Sequence, residues 1–170
     1  MGRSARRTSR FALVLTLATA AGLALLADRA PASPAACSLV TAAQAQSLLG
    51  YSVRVRRGDT AADCVLSAFP VRLDPETLSP VRPTITFSVA SETARARPFR
   101  QELADARRRG FGAAPGFGSS SYLVVGPQPG ALGVYAKVRG MVLELDVGPA
   151  TKPITRVRAL TLARRIAAGI

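Results

Sequence analysis

The chain is predicted to fold as an α+β domain, a largely antiparallel sheet of about five to six strands packed with helices. Short runs of alternating apolar and polar residues recur along it. Segments with a helical apolar stripe stand near the start, in the middle and at the end, and turn residues separate neighbouring strands. The resulting order is helix, two strands, strand, helix, three strands, helix. Such helices shield one face of a sheet, or cover it at both sides.

The first element begins at Thr41, whose hydroxyl is placed to cap a helix while Gln44 reaches back in a capping box. Ala45, Leu48 and Leu49 face the core, and Gly50 supplies the left-handed residue that ends the helix. Tyr51, Val53 and Val55 alternate with Ser52, Arg54 and Arg56, which makes a half-buried strand with its charges outward. Gly58-Asp59 turns the chain into a strand carrying Cys64, Leu66 and Ala68, which Pro70 ends. Residues 71–83, with prolines at 75, 80 and 83, read as a surface loop. Ile85, Phe87 and Val89 then alternate with Thr84, Thr86 and Ser88, the clearest strand in the chain.

From Arg95 to Arg109 the composition is helical. Pro98 suits the first turn, and Phe99, Leu103 and Ala106 form an apolar stripe. Asp105 is spaced to pair with Arg109 one turn on. A glycine-containing loop over 110–121 leads to a strand at Tyr122 to Val125, and Gly126 to Gly130 is a turn. Leu132, Val134, Ala136 and Val138 alternate up to a turn at Arg139-Gly140. The return strand sets Val142 and Glu144 on one face and Leu143, Leu145 and Val147 on the other. A last helix is expected from about Pro153 to Ala168, burying Ile154, Val157, Leu160 or Thr161, and Ala167.

Ahead of these elements, Arg3, Arg6, Arg7 and Arg10 precede an uncharged apolar stretch from Phe11 to Ala27, the charged and apolar parts of a secretory signal. Two outcomes stay open: cleavage near Ala27 or at Ala30-Pro31-Ala32, and retention as a tilted anchor. Residues 1–32 are therefore assigned as signal peptide or N-terminal membrane anchor, 33–36 as a short tether and 37–170 as a single extracytoplasmic domain. In an oxidising compartment Cys37 and Cys64 read as a disulfide that closes a loop of about 26 residues and stabilises by roughly 3 kcal/mol. Lipidation of Cys37, which follows Ala35 and Ala36, and a pair of buried thiols are the alternatives.

Composition narrows the function. The chain carries 23 Lys+Arg against 10 Asp+Glu; without residues 1–32, which hold five arginines and Asp28, 18 basic and 9 acidic residues remain, a net charge of about +9. Such a domain is drawn to anionic lipid or wall polymer, with Arg54, Arg56, Arg107, Arg108 and Arg109 as candidate contacts. The last three also suit the negative end of a helix dipole. Nucleic acid is not expected, because the destination is extracytoplasmic and no aromatic stacking platform accompanies the charge.

The chain has no histidine, which removes the imidazole base and the His metal ligand. Residues 110–121 hold four glycines and Ser119-Ser120-Ser121, but neither a phosphate-binding loop ending in Lys nor a nucleophile elbow. No catalytic residue, cofactor or metal site is assigned. Asp59, Asp63, Glu144 and Asp146 are the only plausible acids, and Glu144 and Asp146 are spaced to share a strand face. A carboxylate-dependent hydrolase is the minor alternative.

The segment Cys37-Ser38-Leu39-Val40-Thr41, the helix end Leu48-Leu49-Gly50, Cys64 entering a strand, and Gly116-Phe117-Gly118-Ser119-Ser120-Ser121-Tyr122 carry a resemblance. Over residues 37–170 they resemble a family of actinobacterial exported proteins and lipoproteins, the domain-of-unknown-function family numbered 3558. The resemblance implies an envelope-facing domain with Cys37 paired to Cys64 and a fold like that of the PsbP/Mog1 group, and it brings no catalytic residues. The expectation is thus a non-catalytic binding or accessory domain, secreted or associated with the cell envelope. Its partner would be an envelope protein, a lipid or an anionic wall polymer, with the N-terminus as a membrane tether where it is retained.

Overall fold

The computed structural model describes residues 35–170. The signal or anchor of residues 1–32 and the start of the tether lie outside the described residues. The strands are β1 (Val53–Arg57), β2 (Asp63–Ala68), β3 (Ile85–Ser91), β4 (Ser121–Val125), β5 (Leu132–Val138) and β6 (Met141–Val147). The helices are α1 (Ala42–Leu49), α2 (Phe99–Arg108) and α3 (Arg156–Ala168). The strands form one antiparallel sheet in the order β1-β2-β3-β6-β5-β4. Two three-stranded meanders are thus joined along β3 and β6, and β1 and β4 are the edges. The expected α+β class, antiparallel sheet and element order are all present.

Alternation along each strand divides the apolar side chains between two faces. Val53, Leu66, Ile85, Phe87, Val89, Val134, Leu143 and Leu145 join Ala45 and Leu49 of α1 and Ala159, Leu162, Ala163 and Ile166 of α3 in the main core. On the opposite face, α2 lays Phe99 and Ala106 on Tyr122 and Val142, with Leu103, Phe111, Val124 and Tyr135 around them. This second core is small, and it lies over the β4, β5 and β6 side of the sheet. The same face of β1, β2 and β3 carries no helix.

Local chemistry fixes α1 at both ends. Thr41 Oγ1 accepts from the Gln44 amide at 3.2 Å, and Gln44 Oε1 accepts from the Thr41 amide at 3.1 Å. Gly50 has φ 78°, and a Cβ there would overlap Nη1 of Arg158, which donates to the Leu49 carbonyl at 2.8 Å. The glycine therefore lets α3 cap α1. Ahead of α1, Cys37 is bonded to Cys64 with the two Cα atoms 5.1 Å apart. The packed chain already begins at Ala36, within the stretch read as a tether: this residue is buried and its amide donates to the Ala61 carbonyl at 3.0 Å.

Two helices depart from expectation. α2 starts at Phe99 rather than Arg95, because Pro98 takes an extended backbone (φ −58°, ψ 131°) at the N-cap and the residue before a proline avoids the helical region. Asp105 pairs with Arg97 and Arg108, not with Arg109. α3 starts at Arg156, where Thr155 Oγ1 accepts from the Arg158 amide at 3.3 Å. That start turns Val157 outward, 69% exposed, and buries Ala159, Leu160, Leu162, Ala163 and Ile166. Ile154 is buried just ahead of the helix, and Ala167 is half-buried.

Candidate functional site

The uncovered face of β1, β2 and β3 and its continuation onto β6 are dressed by strand alternation and aligned by register. One cross-strand row runs Asp63, Ser88, Glu144, Tyr135, Tyr122, and the next runs Arg56, Val65, Thr86, Asp146, Gly133, Val124. Where the helix-free half begins, a cleft of about 340 Å³ is lined by Asp59, Asp63, Thr86, Ser88, Glu144 and Asp146. The four carboxylates singled out from sequence therefore line one cleft. Neither their spacing nor their number in the chain announced this, since Asp59 and Asp63 meet the other pair only through the pairing of β2 with β3 and β3 with β6.

Three of the four already serve neighbours. Asp63 Oδ2 accepts from the Thr60 hydroxyl at 2.7 Å and from its amide at 3.1 Å. Asp146 Oδ1 accepts from the Tyr135 hydroxyl at 2.6 Å, and Glu144 is ion-paired with Arg95. Among the described residues Asp59 alone of the four has no hydrogen-bond partner. Also among the described residues, no group of three or more His, Cys, Asp or Glu could hold a metal ion.

Arg95 ties this cleft to the helix-covered half. Its Nη2 donates to both carboxylate oxygens of Glu102 in α2, at 2.7 and 2.8 Å, while Nη1 donates to Glu144 in β6. Burial opposes its charge, but Glu102 and Glu144 outweigh that and hold the guanidinium above its ordinary pKa. Beside it, Phe99, Tyr122 and Tyr135 form a stack with centroid spacings of 6.0 and 4.7 Å. The Tyr135 ring lies where a Cβ on Gly133 would be, 2.5 Å away, so the glycine makes room for the ring that reaches Asp146. Burial, with Glu102 and Glu144 adding to it, pushes Tyr122 up to about 12. Burial and then the bond to Asp146 raise Tyr135 as well.

The five candidate anion-contact arginines do not form one surface. Arg54 and Arg56 project from edge strand β1, with the Arg54 guanidinium 4.2 Å from the centroid of the Phe69 ring. Arg107, Arg108 and Arg109 end α2, which packs on the opposite edge strand β4. Arg107 is spent on backbone carbonyls, donating to Phe111 at 3.1 Å and Ser121 at 2.9 Å, and Arg108 is paired with Asp105. Arg109 lines a cleft of about 320 Å³ with Arg97, Glu102, Tyr122 and Tyr135. In the serine run, buried Ser121 accepts from the Ala114 amide at 3.0 Å and donates to the Gly118 carbonyl at 2.7 Å, a structural role.

Sequence reasoning missed Arg95 and the two stacked tyrosines. Arg95 reads as one more cation in an arginine-rich run, and no local pattern sets it apart. Fold and site together define a disulfide-stapled α+β domain with one sheet face half covered. No family model, curated protein or solved structure matches the chain.

Proposed function

We propose that this chain is an exported domain of the cell envelope, secreted or tethered by its N-terminus, which binds a partner and performs no chemistry of its own. The partner is an envelope protein, a lipid or an anionic wall polymer. The single observation that carries this reading is the Cys37–Cys64 bond, because such a bond persists in an oxidising compartment and is rare in a reducing one. It agrees with the leader read over residues 11–27. The same pair, with the Leu48-Leu49-Gly50 helix end, supports placing the chain with the actinobacterial exported family numbered 3558 and reading its sheet as a PsbP/Mog1-like one.

The test is the intact mass of the protein isolated from its natural envelope. The expected mass begins after the leader where the domain is secreted and includes it where the N-terminus is the tether; in both cases it lacks two hydrogens relative to the dithiol and includes no acyl chain. A full-length cytoplasmic product with two titratable thiols would overturn the reading.

A carboxylate-dependent hydrolase is the second reading, and it is favoured by one fact: Asp59, Asp63, Glu144 and Asp146 line a common cleft. Against it, Asp63, Glu144 and Asp146 hold hydrogen bonds that bind the fold together. Hydrolysis of an envelope polymer that disappears in Asp59→Asn, with folding unchanged, would establish it.

A further inference from the structure

Six large apolar residues stand exposed among the described residues, and Phe69, Val71, Leu73 and Leu78 of these share the loop between β2 and β3. The concentration is not the product of a slack segment. Asp74 N donates to Ser79 O at 2.8 Å and Val81 N to Arg72 O at 2.9 Å, and Leu73 bridges Pro80. The Asp74 carboxylate accepts from the Glu76 and Thr77 amides at 3.1 Å, and the Thr77 amide foremost holds it below the ordinary carboxylate range. The far side of the loop is fastened to the segment after β6 by Thr151 N to Pro80 O at 3.1 Å and Lys152 N to Val81 O at 2.9 Å.

At the tip of this braced loop, Leu78 has φ 53° and is 74% exposed. The left-handed region disfavours a side chain of this kind, and packing gives it nothing in return. Beside the loop lies a cleft of about 300 Å³ lined by Tyr51, Ser52, Phe69, Arg72, Arg82 and Lys152. The Arg82 guanidinium sits 5.3 Å from the centroid of the Tyr51 ring. Among the described residues, Arg54, Arg72, Arg82 and Lys152 have no salt-bridge partner within 4 Å. The acids of the loop are Asp74, turned into its own turn, and Glu76, so cations outnumber carboxylates here by two.

We propose that loop 69–81 docks the domain on an anionic bilayer. Phe69, Val71, Leu73 and Leu78 enter the acyl boundary, and Arg72, Arg82 and Lys152 hold a lipid phosphate in the adjoining cleft. A bilayer receives protruding apolar side chains without a matching cavity, and its anionic headgroups complement cations set behind them. This rests on the exported reading and names its partner; the vesicle test below leaves the intact-mass result untouched, so each can fail alone.

The chain contains no tryptophan. Leu78→Trp therefore puts a sole indole at the loop tip, and Val157→Trp puts one on the exposed side of α3 as control. Both are prepared as the full exported product and mixed with vesicles of equal phosphatidylglycerol and phosphatidylcholine, with or without brominated acyl chains. The Leu78→Trp emission is expected to shift to the blue and be quenched by the brominated lipid, and Val157→Trp to do neither. Adding Arg72→Gln, Arg82→Gln and Lys152→Gln to Leu78→Trp is expected to weaken partition about a hundredfold. An unquenched indole at 78 on vesicles that carry the protein would overturn the proposal. So would equal partition into pure phosphatidylcholine, or a blue shift produced by an acidic protein and not by vesicles.

Discussion

Arg95 joins two carboxylates from different elements, and its Nε is buried without a hydrogen-bond partner. Arg95→Ala would leave Glu102 and Glu144 close together with no cation between them. Because both carboxylates are partly solvated, the expected loss is about 2 kcal/mol rather than the larger figure for a fully buried pair. Urea unfolding measures it, and Arg95→Lys should recover only part, since an ammonium cannot bond one carboxylate through both its oxygens as the guanidinium fork does. At Leu78 the expected sign is reversed. Leu78→Gly removes a left-handed strain of about 1–2 kcal/mol and adds about 0.5–1 kcal/mol of unfolded-state freedom, for a net gain of about 0.5 kcal/mol. The same variant should bind anionic vesicles less well. A thermal melt beside a partition assay reads both, and a destabilised variant would show that the leucine is held by packing.

The ends of α1 were legible because capping is chemistry within a few residues: Thr41, Gln44 and Gly50 carry it whatever the rest of the chain does. α2 and α3 were misplaced by a few residues for the complementary reason. Their starts are set by the extended backbone at Pro98 and the cap at Thr155, and composition upstream of each cap still looks helical. Strand faces were read correctly at β3 and β6, since a period of two leaves little choice. The disulfide ties the segment before α1 to β2 across 27 positions. Replacing both cysteines by serine is expected to destabilise by about 3 kcal/mol, read as a lower urea midpoint. An unchanged midpoint would mean that packing of Ala36, Val40 and Leu49 already holds α1 without the bond.

Over the whole molecule, the sheet divides the work between a large core under α1 and α3 and a half-covered polar face under α2. Of the three tyrosines of the chain, Tyr122 and Tyr135 lie under α2 and Tyr51 packs against the large core. Burial pushes Tyr51 up to about 12, with Arg82 opposing, Tyr122 reaches about 12, and Tyr135 is raised too. A raised folded pKa means that the folded state keeps its proton more tightly. The resulting stability is complete below the unfolded value near 10 and is lost as pH climbs toward 12. An ultraviolet titration should find no phenol ionising near pH 10 in the folded protein, and the unfolding midpoint should fall between pH 10 and 12. The sequence by itself determined the α+β class, the order of elements, the strand faces and the cap of the first helix, because each follows from periodicity or from groups a few residues apart. Only the tertiary structure decided that Asp59 and Asp63 meet Glu144 and Asp146, that Arg95 is held between two glutamates, and that the candidate arginines lie at opposite edges. Strand order brings these groups together or parts them, and it is set by which apolar faces find each other across long separations of chain, a choice that no short window of residues contains.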